Sequence, residues 1–231
     1  MNKNRMIYIA LFALISLPLE NVTASPINLI YNGSFEDRTG TYSGSSSFDD
    51  LYAINSNIPG WTVTQNSVGW VADTYWQASD GNMSIDLSGN PNAVNGTLVS
   101  DDFGTMVGSE YSLYFDMAGN PDGGPAIKTL EVFINGFSQI FSFDTTGTTR
   151  TSMGWTTFDW NFYATSLFTD ITFRDISTDT TAFGPAIDNV RVYKASSVPE
   201  PGTLVLLIGG LFAMVAGERK IKSGCVKIKY T

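Results

Sequence analysis

Between residues 110 and 193 apolar and polar side chains take turns along the chain, so the period is two and not the 3.6 of a helix. Tyr111, Leu113, Phe115 and Met117 share one face, with Ser112, Tyr114 and Asp116 on the other. Leu130, Val132 and Ile134 repeat the pattern, as do Phe158, Trp160 and Phe162, then Ile171 and Phe173, then Val190 and Val192. Turn-forming clusters separate the runs: Gly119 to Pro125, Asn135-Gly136 and Thr145-Thr146-Gly147. Asn135-Gly136 between two apolar runs predicts a two-residue hairpin. Short strands at this spacing predict an all-β fold, an antiparallel jelly-roll sandwich. No fixed-period repeat is present, which argues against a propeller or solenoid. The Ser- and Gly-rich stretch from Gly40 to Asp50 reads as a long surface loop.

The two ends differ from this middle. Lys3 and Arg5 precede an apolar stretch from Met6 to Leu19, and Val22-Thr23-Ala24 offers small residues for a signal peptidase. Residues 1–24 therefore read as a secretory signal peptide cleaved after Ala24. At the other end Val198-Pro199-Glu200-Pro201 leads into an apolar run from Thr203 to Gly217, then Arg219, Lys220 and Lys222. Residues 198–222 resemble a PEP-CTERM sorting signal, with Pro199, Glu200 and Pro201 as the motif. That resemblance implies an exosortase-type processing enzyme, and a hydrophobic anchor helix in the membrane until processing. An ordinary C-terminal anchor is the alternative. Residues 223–231 form a basic tail, and residues 25–197 are the exported domain.

In that domain 19 acidic residues face 6 basic ones, a net charge of −13 against −9 for the whole chain. Such a surface repels phosphate backbones and excludes nucleic acid as a partner. The single cysteine, Cys225, lies in the tail, so no disulfide can staple the domain. The chain has no histidine, which removes Ser-His and Cys-His nucleophilic catalysis and any His-ligated metal.

Two acids stand out. Asp188 has the parity of Val190 and Val192, so it is expected to point into the core, where a carboxylate needs a partner. Glu36 closes the run Asn32-Gly33-Ser34-Phe35-Glu36 near the start of the domain. First and last strands of a sandwich commonly lie together, and Glu36, Asp188 and nearby carbonyls would make an all-oxygen site suited to structural calcium. Alternatively, Glu36 is solvated and Asp188 caps a turn.

Trp61, Trp70, Tyr75 and Trp76 crowd one window, with Gln77, Asp80, Asn82 and Asp86 beside them. Exposed rings flanked by such groups stack on and hydrogen-bond a sugar, and Tyr75, Trp76, Gln77 and Asp80 form the candidate ligand face. The competing reading puts the rings in the core, as expected for Trp61. The Asn120 to Gly124 loop is a candidate rim at the same end. Glu36, Glu110 and Glu131 are the only glutamates in the exported domain, and none is marked as an acid held in a dry cleft, so no catalytic residue is assigned.

Eight ordered blocks carry a family resemblance: Asn32 to Glu36, Ile58-Pro59-Gly60-Trp61, Trp76 to Gly81, Ser84 to Gly89, Ala118 to Gly123, Phe143 to Gly147, Met153-Gly154-Trp155 and Gly184 to Val190. Together they resemble the choice-of-anchor C family. The resemblance implies a galactose-binding-like β-sandwich, with calcium at Glu36 and Asp188 by analogy with related carbohydrate-binding modules. The reading that follows is an exported, surface- or matrix-associated, non-catalytic protein that binds extracellular polysaccharide. The alternatives are a purely structural matrix protein with no soluble ligand, or a carboxylate-based glycoside hydrolase.

Overall fold

The alternation around Tyr111 becomes a ten-residue strand, Glu110–Gly119, in which Tyr111, Leu113, Phe115 and Met117 are all buried. A computed structural model describes residues 25–39, 47–178 and 181–195. The expected signal peptide, the Pro199-Glu200-Pro201 motif, the anchor segment and the basic tail lie outside the described residues. Among the described residues no helix is long and apolar enough to cross a membrane.

The strands are β1 (Phe48–Tyr52), β2 (Trp61–Gln65), β3 (Ser67–Ala72), β4 (Met83–Asp86), β5 (Thr97–Ser100), β6 (Phe103–Gly104) and β7 (Glu110–Gly119). They continue as β8 (Ile127–Ile134), β9 (Phe137–Asp144), β10 (Thr156–Tyr163), β11 (Phe168–Thr169), β12 (Thr172–Asp175) and β13 (Pro185–Lys194). One sheet has the order β1-β3-β4-β13-β7-β10 and the other β2-β5-β12-β8-β9, with β6 and β11 as a separate pair. All the pairings are antiparallel. The chain changes sheet between β1 and β2, β2 and β3, β4 and β5, β5 and β7, β7 and β8, β9 and β10, β10 and β12, and β12 and β13. That weaving makes the sandwich a jelly roll.

Asn135 and Gly136 join β8 to β9 with φ of 54° and 81°, the left-handed pair that a tight hairpin needs. Between the sheets Phe115 of β7 meets Phe141 of β9 at 5.1 Å and Phe173 of β12 at 5.3 Å between ring centroids. Each such ring removed from water contributes roughly 1.5–3 kcal/mol. This aromatic seam locks one sheet onto the other.

Two departures from the sequence reading bear on function. The stretch ending at Asp50 is not all loop: Phe48, Asp49 and Asp50 pair with Val71, Trp70 and Gly69 as β1, the edge of the six-stranded sheet. Asp188 also does not share a face with Val190. Ile187, Val190 and Val192 all enter the main core, so the parity flips after Ile187. The cause is a register shift between Asp188 and Arg191, with Asn189 at φ 51°. A residue added by a bulge turns the side chains before it to the opposite face. Asp188 therefore lies on the outer face of the sheet, buried beneath a loop.

The first and last segments of the described domain lie side by side, as expected. Where β4 stops, residues 29–33 continue beside β13: Leu29 N donates to Val192 O and Val190 N to Gly33 O, both at 2.9 Å. The approach is so close that a Cβ on Gly33 would stand 1.9 Å from the Val190 oxygen.

Candidate functional site

Register across the six-stranded sheet places Asp50, Gly69, Asp86, Ala186 and Ala118 in one row on its outer face. Three of the five have almost no side chain, so the row is a trough from which only the two carboxylates rise. Asp50 and Asp86 are two strands apart, about 10 Å at the backbone. The trough's Asp50–Gly69–Asp86 half opens into a pocket of about 240 Å³, while Trp76 covers Ala186 and Ala118. Phe48, Tyr75 and Phe183 wall it, and Asn120 joins the two acids in its lining.

The polar groups of the floor are held unequally. Asp86 Oδ1 accepts N–H groups from Ser88 (2.9 Å) and Gly184 (3.1 Å), and its Oδ2 accepts Asn120 Nδ2 at 2.8 Å. Burial pushes its carboxyl up to about 7, against the pull of those donors, and the charge of Asp175 adds to the rise. Asp50 Oδ2 accepts Asn90 Nδ2 at 3.0 Å. Its Oδ1 is buried and has no hydrogen-bond partner among the described residues. A buried acceptor left unpaired costs about 1–3 kcal/mol. Asp86 thus has donors on both oxygens, whereas Asp50 keeps one buried oxygen without a donor among the described residues.

The pocket wall is braced from outside. Tyr75 Oη donates to Asp122 Oδ2 at 2.9 Å, and Arg150 Nη2 donates both to that carboxylate (2.7 Å) and to Tyr75 Oη (2.8 Å). The guanidinium also lies 3.9 Å from the Tyr75 ring centroid, a cation–π contact that covers one face of the ring. Burial raises the Asp122 carboxyl, but the hydrogen bonds from Arg150 and Tyr75 outweigh it and hold it below the usual range.

The sequence-derived ligand face is rearranged accordingly. Trp76 offers no ring to solvent: it is 1 % exposed, packs with Val71, Ala118, Met153 and Ala186, and donates Nε1–H to Ser84 Oγ at 2.8 Å. The tight run from Ala72 folds it back onto the outer face of its own sheet. Tyr75 lines the pocket, whereas Gln77 lies beyond the wall, where its backbone bonds Arg150 and the Trp155 indole. Asp80 is exposed and accepts Ser34 Oγ at 2.6 Å. Trp61 is buried in the main core, as expected. Asn120 and Asp122 put the turn after β7 at this end of the sandwich. Asp50, Gly69, Phe48 and Phe183 are the members that sequence reasoning missed. Gly69 inside the apolar strand Ser67–Ala72 is the signal that could have found them, since an interior strand glycine marks room for a close approach.

Glu36 and Asp188 each hold a part of the loop from Ser79 to Met83. Glu36 Oε1 accepts N–H groups from Asn82 and Met83, each at 2.7 Å. Asp188 Oδ2 accepts those of Ser79 (2.8 Å) and Asp80 (2.9 Å), and its Oδ1 that of Asn189 at 2.6 Å. Burial pushes the Asp188 carboxyl up to about 8, although these N–H groups oppose the rise. Its neighbour Asp116 behaves oppositely: burial raises it, but hydrogen bonds from Ser79, Thr157 and Asn189 hold it below the usual range. Among the described residues no cluster of three or more metal-ligating side chains forms.

Comparison with known proteins gives one family. The profile described as "Protein of unknown function (DUF642)" matches residues 28–193. The chain is 31 % identical over 192 residues to halomucin of Haloquadratum walsbyi, which covers 82 % of this chain. It spans only 2 % of halomucin's own length. Among solved structures, a family 35 carbohydrate-binding module of Clostridium thermocellum aligns at TM-score 0.43 and 17 % identity, over 64 % of this chain and 99 % of the module. The corresponding module of Paenibacillus barcinonensis aligns at 0.41 and 18 %, over 64 % and 99 %. Scores this low do not carry a neighbour's ligand over to this chain.

Proposed function

We propose that this chain, which belongs to the DUF642 family, is an exported, non-catalytic protein that holds a sugar of an extracellular polysaccharide in the Asp50–Gly69–Asp86 trough. One observation carries the reading: two carboxylates and an amide meet over a glycine floor between aromatic walls. Sugars need this combination, because a pyranose has an apolar C–H face and a rim of hydroxyl donors. The pocket is smaller than the roughly 300 Å³ at which drug-sized sites begin, which suits one ring, not a buried oligosaccharide. The end segments read in the sequence support delivery to the surface or matrix, with the PEP-CTERM-like tail as the sorting signal.

Filling the trough tests the site. Gly69 has its nearest neighbour, Asp86 Cβ, 3.4 Å from a built Cβ, so a larger side chain is tolerated in the strand and rises into the pocket. Gly69→Leu is expected to weaken retention on a glycan panel at least roughly tenfold, about 1.4 kcal/mol, with melting nearly unchanged. Equal retention would discard the trough. The second reading, hydrolysis, rests on the same two acids, since paired carboxylates also cleave glycosidic bonds; new reducing ends in the assay would favour it. Retention by neither protein would favour a matrix role through exposed rings such as Phe137 and Tyr163.

Calcium at the Glu36–Asp188 seam remains part of the proposal. Glu36 Oε2, which among the described residues has a long 3.4 Å contact from Asn82 Nδ2, is the oxygen with capacity left for a cation. The ion's role would be structural. Calcium is expected to raise the melting temperature of the wild-type protein but not of Glu36→Gln. Identical wild-type melts in calcium and in chelator remove the ion from the account.

A further inference from the structure

We infer that the trough selects a sugar ring bearing a free amine over neutral, N-acetylated and acidic rings. The inference rests on the sugar-binding reading above and names its substrate class. Its basis is the charge balance of the pocket. Asp50 and Asp86 both line it, and Asp175 stands behind Asp86, joined through Ser88, whose Oγ donates to Asp175 Oδ2 at 2.6 Å. Among the described residues no lysine or arginine lines the pocket. The nearby cations are turned to other partners: Lys128 Nζ donates to the Gly123 and Phe183 carbonyls, and Arg150 to Asp122.

A ring seated over Gly69 takes water from the half-buried Asp50, beside an Asp86 that is already only 4 % exposed. A neutral sugar replaces that water with hydroxyl donors but leaves the charge of Asp50 uncompensated in a dry space, which is costly. An acidic sugar adds a further like charge. An ammonium brings three donors and the opposite charge together. It can pair with the half-buried Asp50 carboxylate while the Phe48 and Tyr75 rings, in edge contact at 5.2 Å, present aromatic surface to the cation.

The experiment is calorimetric titration of the full chain with glucosamine, N-acetylglucosamine, glucose and galacturonate at one pH and ionic strength. Glucosamine is expected to bind at least tenfold more tightly than the other three. Asp50→Asn should erase that preference without changing the melt. Gly69→Leu, which leaves every charge in place, should erase it as well. An amine preference that survives in Gly69→Leu is general attraction to an acidic protein and overturns the inference. Binding of glucose or N-acetylglucosamine as tight as glucosamine also overturns it, while the sugar-binding reading stands. Binding of none of the four to wild type brings down both.

Discussion

A Trp76→Ala variant is expected to lose about 3–5 kcal/mol of folding stability, the range for truncating a large buried aromatic. Trp76 anchors the second core, where its ring fills the space between Val71 and Ala186 on the sheet and Met153 on the loop above. Alanine leaves a cavity there and removes the donor to Ser84 Oγ, a hydroxyl buried with the ring. Tyr75, whose centroid is 5.8 Å away, loses its backing, so the pocket wall should loosen too. Total stabilities are typically about 5–15 kcal/mol, so the variant should lie near the edge of folding. Urea titration measures this: the midpoint should fall sharply, with sugar retention lost along with structure. A Trp76→Ala protein that melts like wild type yet fails to retain sugar would mean that the ring is an exposed platform after all.

That contrast shows where sequence reasoning succeeds. Period-two runs specify the strands, because alternation and burial on one face are the same physical fact. Tyr111 to Met117 and Leu130 to Ile134 behave accordingly. The site obeys a different rule. It lies on the second face of the sheet, where short side chains at Gly69, Ala118 and Ala186 leave room for loops to pack. Alternation says which residues face away from the main core, but not that a second core covers them, so Trp76 could be read as exposed. Asp50 was hidden because its strand follows a Ser- and Gly-rich stretch with no alternation of its own. The parity argument for Asp188 failed at one residue, Asn189, whose left-handed conformation shifts the register. Glu36 and Asp188 nevertheless hold the same loop, since adjacency of the domain's first and last segments depends on topology and not on the facing of one side chain.

Asp188→Ala is expected to be as damaging as loss of the Trp76 ring. Its carboxylate collects backbone N–H groups from Ser79, Asp80 and Asn189. Each donor left unpaired in a buried space costs about 1–3 kcal/mol, so the variant should lose several kcal/mol and release the loop that also carries Glu36's partners. The same acid gives stability a pH dependence. Burial raises the folded-state values of Asp188 to about 8 and Asp86 to about 7, from 3.8 for an ordinary aspartate. Between those limits the folded chain holds protons that the unfolded chain has released, and stability must fall as pH rises. Asp116 and Asp122, held below 3.8, act the other way, but only in more acidic solution. The urea midpoint should therefore be higher at pH 5 than at pH 8.5, and Asp86→Asn should flatten that decline. A wild-type midpoint that rises across this interval would mean that backbone N–H groups and a bound cation keep both acids ionised, which would shift the account of the seam from hydrogen bonds to calcium.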